Sequence, residues 1–282
     1  MKLFGLLGYP VGHSASPAMM NAAFAADGET AVYVPFAVTP ERIEEALVGL
    51  SALGAVGVNV TVPHKVAAFH WVKTHTDEAR RIGAVNTIRF TEDGAIGHNT
   101  DVSGWWRSIG HHVQSASPSF AVIGAGGAAM AILAAMATHR PQANVTVIAR
   151  RASQVAALAR RFDAELSIQY APWEKRNAVL AEANVIVQTT PIGMWPEVNQ
   201  SPVTDAGVFQ PGQIVQDIVY RPRETMFARL AKSRGAVVVD GADMLIYQGV
   251  DAYEWWLGHQ APVDVMFAAV NQHLAHEQLV HE

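Results

Sequence analysis

A lysine follows a short predicted strand in residues 57–65, GVNVTVPHK. Valines alternate there with small or polar residues, which predicts a strand, and Pro63 ends it because proline has no N–H to donate. Asn59 and Thr61 are two residues apart, so an extended strand would point both to one face. Together with Lys65 they would suit a small polyhydroxylated ligand. The alternative is a strand with polar end residues and a solvated lysine.

Two serines stand at the start of the first predicted helix. Leu3 to Gly8 reads as a strand, and Ser16 followed by Pro17 is typical of an N-cap and a first-turn proline. The hydroxyls of Ser14 and Ser16 would then lie at the positive end of the helix, where a carboxylate is stabilised. The alternative, that Ser16 only caps the helix, does not account for Ser14.

Two further polar stretches come at the ends of predicted strands. Residues 83–88 (GAVNTI) place Asn86 at the start of a strand, and residues 97–101 (GHNTD) place Asp101 before a helix. An aspartate in that position is most often only a helix N-terminal carboxylate.

A glycine-rich loop marks a second block of the chain, after a polar linker-like run at 114–119. The apolar strand Phe120–Ile123 leads into residues 124–129 (GAGGAA), which open a helix. Strand, glycine turn and helix form the context in which the pattern G-x-G-x-x-[GA] indicates dinucleotide binding. The glycines let the backbone approach a pyrophosphate at the helix N-terminus.

The end of the next predicted strand, 145–148, indicates which dinucleotide is bound. Proteins that bind NAD usually carry Asp or Glu there to hold the ribose 2′-hydroxyl. This chain has Ala149, Arg150 and Arg151 instead, so two guanidinium groups are available for a 2′-phosphate. The sequence therefore favours NADP. The alternative is that both arginines are solvated residues at a helix start.

Composition excludes several classes of function. The 282 residues carry a net charge of −5, which gives no basic footprint for nucleic acid, and they include no cysteine for disulfides or thiolate chemistry. We expect no signal peptide and no membrane span, a cytoplasmic location and no metal site. The tryptophan pairs Trp105-Trp106 and Trp255-Trp256 are interpreted as packing residues.

Strands and helices alternate in two blocks, which predicts an α/β fold throughout, with the second block a doubly wound, Rossmann-type dinucleotide-binding domain. Residues 185–188 form another apolar strand that ends in the polar turn 188–194, where ligands bind in such sheets. Two helices follow the last strand, and we expect them to return to the first domain.

Eight motifs along the chain, taken in order, resemble those of the shikimate dehydrogenase family, which includes the quinate/shikimate dehydrogenases. The resemblance covers the whole chain. It is carried by residues 8–17, 59–65, 83–87, 97–101, 124–129, 189–194, 217–220 and 241–248.

The resemblance implies reversible, NADP-linked reduction of 3-dehydroshikimate to shikimate, a step of chorismate and aromatic amino acid biosynthesis. Lys65 and Asp101 would be the catalytic pair, with Lys65 giving a proton to the developing alkoxide. Ser14 and Ser16 would hold the substrate carboxylate. The remaining substrate residues would be Asn59, Thr61, Asn86, Tyr220 and Gln248. No metal is needed, because the cofactor carries the difficult step.

Domain and cofactor assignments follow from the same motifs. Residues 1–102 with 242–282 would form the substrate-binding and catalytic domain, and residues 103–241 the NADP-binding domain. The partner would be a small-molecule substrate, and the protein a monomer or homodimer. The predicted cofactor site comprises Gly124, Ala125, Gly126, Gly127, Ala128, Ala149, Arg150, Arg151, Thr189, Ile218 and Gly241.

The chain departs from the family pattern at several positions near the site. It has Met20 where histidine is frequent, Val102 where glycine is usual, Met130 where arginine is frequent, and Ala149 and Gln188 where asparagine is common. These departures leave two alternatives open. One is a dehydrogenase of the same family for quinate or another cyclohexanecarboxylate, with NAD as an alternative cofactor, and the other is a non-catalytic dinucleotide sensor.

Overall fold

The structure is a computed structural model that describes residues 1–281, with side chains described through His276. The chain divides into two compact units. The first contains Met1–Gly104 and the chain from Leu245 onward, and the second is Trp105–Met244. Each unit is built on its own six-stranded sheet. None of the helices formed by residues 1–281 combines the length and apolar composition that a membrane span requires.

The first unit contains a mixed sheet with helices before and after most strands. Its strands are β1 (Lys2–Gly8), β2 (Ala31–Ala37), β3 (Gly57–Val60), β4 (Thr74–His75), β5 (Thr87–Thr91) and β6 (Gly94–His98). They lie in the order β2-β1-β3-β5-β6-β4. β5 runs antiparallel to both of its neighbours, β3 and β6, so those two strands run in the same direction.

The helices that belong wholly to the first unit are α1 (Ser16–Ala26), α2 (Ile43–Ala52), α3 (Lys65–Trp71), α4 (Asp77–Ile82) and α11 (Val263–His281). Two more helices, α5 (Asp101–Ile109) and α10 (Gly241–Leu257), contain the points where the chain passes from one unit to the other. These points lie two and three residues from the predicted boundaries after residues 102 and 241.

Both faces of β1 are buried, which explains why this strand reads as an unbroken apolar run. On one face Leu7 packs with Leu47 of α2 and Val58 of β3. On the other face the ring of Phe4 lies 5.0 Å from that of Phe24 and 5.0 Å from that of Trp256. The alternation of side chains along the strand thus joins helices on both sides of the sheet.

The start of α1 differs from the prediction. The helix begins at Ser16, its N-cap residue is Ala15, and no side chain makes a capping bond. Ala15 already has helical φ and ψ, so the Ser16 hydroxyl is not positioned as a cap; it accepts a hydrogen bond from Ser14 Oγ at 3.2 Å instead. The prediction that Ser16 caps the helix is therefore wrong, whereas Pro17 does lie in the first turn.

The second unit contains an all-parallel sheet of β7 (Ser119–Ile123), β8 (Asn144–Ala149), β9 (Ser167–Pro172), β10 (Val185–Gln188), β11 (Ile214–Asp217) and β12 (Val237–Val239). Its helices are α6 (Gly127–His139), α7 (Ala152–Arg161), α8 (Arg176–Glu182) and α9 (Met226–Ser233).

The strand order of this unit is β12-β11-β10-β7-β8-β9. Counted from β7, this is 6-5-4-1-2-3, the order of the doubly wound dinucleotide-binding fold. The direction of winding reverses between β7 and β10, so the carboxyl ends of these two strands define the place where a ligand would bind.

Candidate active site

Lys65 and Asp101 meet in the first unit. The Nζ atom of Lys65 lies 2.6 Å from Oδ2 of Asp101, and the two side chains are 27% and 12% exposed. Lys65 is the first residue of α3 and Asp101 the first of α5, and the Lys65 carbonyl is held by the N–H of Val85 at 2.9 Å. The ammonium group is thus fixed at one side while it stays accessible to a small ligand.

The second oxygen of the Asp101 carboxylate is also engaged. Asn86 Nδ2 donates to Asp101 Oδ1 at 2.9 Å, and the Asp101 N–H donates to Asn99 Oδ1 at 3.0 Å. Asn99 in turn donates to the carbonyl of Ala84 at 3.0 Å. These contacts leave Asp101 little freedom to rotate, so its Oδ2 faces Lys65.

Two of the predicted substrate residues are almost completely buried. Asn59 is 6% exposed and Asn86 is 2% exposed. Asn59 donates to Thr87 Oγ1 at 3.0 Å and to the Asn86 carbonyl at 3.2 Å, and it accepts a hydrogen bond from Tyr33 Oη at 2.7 Å. All the polar atoms of the Asn59 side chain therefore have partners within the protein.

Ser14 and Ser16 lie side by side at the start of α1. Ser14 Oγ donates to Ser16 Oγ at 3.2 Å and accepts from the Ser16 N–H at 3.2 Å. Ser16 is 5% exposed, and Ser14 is half-buried. Thr61 follows β3, and its N–H donates to the carbonyl of Leu7 at 2.8 Å. The hydroxyl groups predicted to hold a carboxylate are thus adjacent.

Gln248 lies beside the same cluster, on α10. Its Oε1 accepts a hydrogen bond from Thr100 Oγ1 at 3.4 Å, and its Nε2 donates to the carbonyl of Leu245 at 2.8 Å. A Cβ at Gly104 would lie 2.6 Å from the Gln248 backbone nitrogen, so glycine lets α5 approach α10 closely at this point. Tyr220, also predicted for the substrate, belongs to the second unit and is half-buried.

In the second unit, Gly124 and Thr189 meet where the winding of the sheet reverses. Thr189 Oγ1 donates to the carbonyl of Ile123 at 2.7 Å, and a Cβ on Gly124 would lie only 2.5 Å from that Oγ1. Gly124 also has a φ of +111°, which L side chains rarely adopt. This glycine is therefore required by the backbone and by its neighbour.

Gly126 and Gly127 differ from Gly124 in a way that points to a ligand. Both are exposed, and a Cβ on either would meet no atom of the protein within 4 Å. Gly126 is the N-cap residue of α6, where unpaired backbone N–H groups face solvent. Nothing in the protein itself requires glycine at these positions, whereas close approach of a pyrophosphate would. Ala125 and Ala128 are half-buried beside them.

Arg150 and Arg151 directly follow β8, next to the buried Ala149. Both arginines are exposed, and among the side chains described through His276 no carboxylate forms an ion pair with either. Arg151 is the N-cap residue of α7 and has no capping bond from its side chain. The two guanidinium groups are thus available to an anion.

Gly241 lies against the end of β11. A Cβ there would be 2.4 Å from the Asp217 carbonyl oxygen and 2.7 Å from that of Val219. The N–H of the half-buried Ile218 donates to the carbonyl of Gln188 at 3.1 Å. The predicted cofactor residues at the ends of β10 and β11 are thus neighbours.

A buried carboxyl group beneath these strand ends was not predicted as part of the site. Asp217 accepts hydrogen bonds from Gln188 Nε2 at 3.3 Å, Val219 N at 3.1 Å and Thr225 Oγ1 at 2.7 Å. Burial raises the pKa of Asp217 to about 7, and these hydrogen bonds oppose the rise. Gln188 also accepts from Thr190 Oγ1 at 2.7 Å and donates to the Ile192 carbonyl at 3.2 Å. The glutamine that replaces the frequent asparagine therefore orders the turn after β10.

Four polar residues of the first unit also lacked a prediction, namely Tyr33, Thr87, Asn99 and Thr100. Thr87 and Thr100 are each next to a predicted site residue, so their place in the polar motifs offered a signal. Tyr33 is 2% exposed in an apolar strand, and nothing around it in sequence marks it as part of a polar network.

Comparisons with known proteins agree with this geometry. A family model described as the shikimate dehydrogenase substrate binding domain matches residues 6–88. A model described as shikimate / quinate 5-dehydrogenase matches residues 110–208, and the shikimate 5'-dehydrogenase C-terminal domain matches residues 241–270. The shikimate dehydrogenase (NADP(+)) of Symbiobacterium thermophilum is 43% identical over 277 residues, which cover 95% of this chain and 93% of that protein.

The chain belongs to the shikimate dehydrogenase family. The predicted membership and the predicted two-domain α/β fold are thereby confirmed. A solved shikimate 5-dehydrogenase from Thermus thermophilus, in complex with NADP(H) and shikimate, is 33% identical with a TM-score of 0.87, covering 97% of this chain and all of that one. A quinate dehydrogenase from Corynebacterium glutamicum in complex with NAD is 30% identical with a TM-score of 0.87, covering 96% of this chain and 99% of that one.

Proposed function

We propose that this protein is an NADP-dependent shikimate dehydrogenase that interconverts 3-dehydroshikimate and shikimate for chorismate and aromatic amino acid biosynthesis. The observation that carries the proposal is the 2.6 Å contact between Lys65 and Asp101, set among polar side chains in a chain that matches this family over nearly its whole length.

We assign the role of proton donor and acceptor in the reaction to Lys65. When a ketone is reduced, hydride addition to the carbonyl carbon leaves negative charge on its oxygen, and the ammonium group of Lys65 donates a proton there. In the oxidising direction a neutral Lys65 accepts the proton of the hydroxyl group. Asp101 holds Lys65 through Oδ2 and is itself fixed through Oδ1, so the donor is positioned before the reaction begins.

Ser14 and Ser16 would bind the substrate carboxylate, because their adjacent hydroxyls lie at the N-terminus of α1. Thr61, Asn86 and Gln248 would bind ring hydroxyls, and Tyr220 would line the site. The engaged polar atoms of Asn59 favour a supporting role over the predicted direct contact.

NADP would be held by the second unit. Gly126 and Gly127 would let the pyrophosphate approach the N-terminus of α6, and the exposed Arg150 and Arg151 would bind the 2′-phosphate. Thr189, Ile218 and Gly241 would line the same edge of the sheet. When bound, the reduced cofactor supplies the hydride.

We further propose that the protein acts in the cytoplasm, where reduced NADP is supplied to biosynthesis, as a monomer or homodimer. Light scattering on the purified protein, with and without NADP, measures the oligomeric state. A larger assembly in both conditions would contradict this part of the proposal.

The test of the proposed activity is absorbance at the reduced-nicotinamide band, with shikimate and quinate each combined with NADP and NAD. We expect strong turnover only with shikimate and NADP. Turnover with quinate or NAD would instead indicate a broader relative of the family. Silence in all four combinations would favour a dinucleotide sensor, an alternative that the presence of both Lys65 and Asp101 now argues against.

A further inference from the structure

A continuous chain of hydrogen bonds runs from a buried tyrosine to the Lys65–Asp101 pair. Tyr33 Oη lies 2.7 Å from Asn59 Oδ1, and Asn59 Nδ2 lies 3.0 Å from Thr87 Oγ1. Thr87 Oγ1 lies 2.9 Å from Asn86 Oδ1, and Asn86 Nδ2 lies 2.9 Å from Asp101 Oδ1. The chain of bonds begins in β2, which is separated from β5 in the sheet by β1 and β3.

The direction of each bond is fixed by its neighbours. The N–H of Thr100 donates to Asn86 Oδ1 at 2.8 Å, and a backbone N–H can only donate, so Asn86 must turn its Nδ2 toward Asp101. The phenol of Tyr33 stays neutral because burial raises its pKa well above the ordinary value, so it can serve as a donor. Asn59 Nδ2 also lies 3.2 Å from the backbone carbonyl of Asn86, which can only accept, so Asn59 presents Oδ1 to Tyr33 and Nδ2 to Thr87. In each of the four hydrogen bonds between Tyr33 and Asp101, the donor is the partner nearer Tyr33 and the acceptor is the partner nearer Asp101.

This arrangement suits positioning rather than proton conduction. Two of its members are amides, and an amide that donates through nitrogen and accepts through oxygen does not pass a proton on without changing its tautomer. Thr87 lies directly opposite Asn59 in the antiparallel pairing of β3 with β5, so the strand register itself keeps these two side chains in contact. The chain of hydrogen bonds therefore fixes the orientation of the side chains between Tyr33 and Asp101.

We propose that Tyr33 is a positioning residue for the reaction, which acts through Asn59, Thr87 and Asn86 to hold the Asp101 carboxylate against Lys65. The proposal rests on the proposed function and adds to it a buried residue of the edge strand β2, four hydrogen bonds away from Asp101. Loss of the Tyr33 hydroxyl leaves the buried Asn59 Oδ1 without its donor, so Asn59 is held less firmly and the bonds that follow it toward Asp101 are weakened.

The alternative is that Tyr33 only fills the core. Its ring packs against that of Trp256 with centroids 6.4 Å apart, and its backbone N–H donates to Asn21 Oδ1 at 2.8 Å. The substitution Tyr33→Phe keeps the ring and the backbone contact and removes only the hydroxyl. Tyr253→Phe is a matched control, since Tyr253 is also a fully buried tyrosine of the first unit, and its hydroxyl donates to Asp27, which is outside the chain of bonds.

The experiment measures kcat, KM and the primary deuterium isotope effect, using NADPH deuterated at the transferred C4 position. For Tyr33→Phe we expect kcat to fall roughly tenfold and the isotope effect to rise, because a misplaced proton donor makes the chemical step more rate-limiting. KM for NADPH should stay within about twofold of the wild-type value. Tyr253→Phe should retain the wild-type kcat and isotope effect.

A second pair of variants tests Thr87, the middle member of the chain of hydrogen bonds. Thr87→Val removes the hydroxyl and should lower kcat as Tyr33→Phe does, whereas Thr87→Ser keeps it and should restore activity. The fall in kcat of the double variant Tyr33→Phe with Thr87→Val should be smaller than the product of the two single effects, because both substitutions interrupt the same chain of hydrogen bonds.

Two results would overturn the proposal. One is a Tyr33→Phe enzyme with wild-type kinetics. The other is a loss of kcat with an unchanged isotope effect, which would indicate fewer folded molecules, since the isotope effect reports only on active ones. A wild-type enzyme that is silent with shikimate and NADP would overturn the proposed function itself, so the two failures are distinguishable.

Discussion

Lys65 Nζ and Asp101 Oδ2 lie 2.6 Å apart although their residues are separated by 36 positions in the chain. The topology of the first sheet explains the contact. β3 and β6 run in the same direction on either side of β5, and each is followed by a helix whose first residue is one member of the pair. Asn86 comes just before β5 at the same edge and bonds to Asp101.

Stability should depend on pH through Asp217. Burial raises the pKa of this carboxyl from its ordinary value of 3.8 to about 7, so the folded protein retains a proton that the unfolded chain has released. The contribution of the Asp217 proton to the free energy of unfolding is complete below pH 3.8 and is lost as the pH rises toward 7. The loss in the free energy of unfolding should be on the order of 4 kcal/mol at about 1.4 kcal/mol per pKa unit.

Urea unfolding at a series of pH values checks this prediction with Asp217→Asn. The variant should show a much flatter pH dependence than the wild type between about pH 4 and pH 7, because asparagine does not titrate. Asp163→Asn, at an exposed position, is the control and should follow the wild-type curve. Parallel curves for Asp217→Asn and wild type would show that Asp217 is not the titrating group.

Gly126→Ala should separate cofactor binding from stability. The backbone at Gly126 has φ −94° and ψ −166°, which alanine adopts, and its Cβ would meet no protein atom within 4 Å. The thermal midpoint should therefore change little, whereas the dissociation constant of NADP measured by calorimetry should rise about tenfold or more, because the methyl group occupies the space for the pyrophosphate. Gly49→Ala, also in open space but on α2, should change neither strongly. Unchanged NADP affinity in Gly126→Ala would contradict the assigned site.

Cofactor choice should depend on Arg150 and Arg151. Replacing either with alanine removes a charged hydrogen bond to the 2′-phosphate, worth about 1.5–3 kcal/mol, so KM for NADP should rise at least tenfold. KM for NAD should hardly change, since NAD lacks that phosphate. Arg160→Ala, at an exposed position near the other end of α7, is the matched control. Equal effects on both cofactors would refute the role in phosphate binding.

Much of the fold could be predicted because its signals are local. The glycine turn at 124–129 follows a strand and opens a helix, and the alternating pattern at 57–65 ends at Pro63. Polar residues at strand ends marked Lys65, Asn86 and Asp101 as candidates, and the resemblance to the family assigned them to one site. Parallel strands bring their carboxyl ends to one edge, so the sequence pattern carries spatial information.

Other features depend on distant contacts and could not be predicted. The role of Tyr33 depends on Asn59 lying within 2.7 Å of its hydroxyl, across two strand pairings. The engaged amide of Asn59 likewise depends on its register with Thr87. The cap at Ser16 was predicted wrongly because the residue type fits an N-cap, whereas the helical backbone of Ala15 decides where the cap lies.

The most direct test of the account is the rate of NADP reduction by shikimate in the wild type and in Lys65→Ala, followed at the reduced-nicotinamide band. The account predicts strong turnover in the wild type and a loss of at least 100-fold, roughly the contribution of a general acid–base, in the variant. Lys73→Ala, an exposed lysine just after α3, is the control and should retain wild-type turnover. Calorimetry should still detect shikimate binding to Lys65→Ala. Wild-type turnover in Lys65→Ala would contradict the assignment of the proton to this residue.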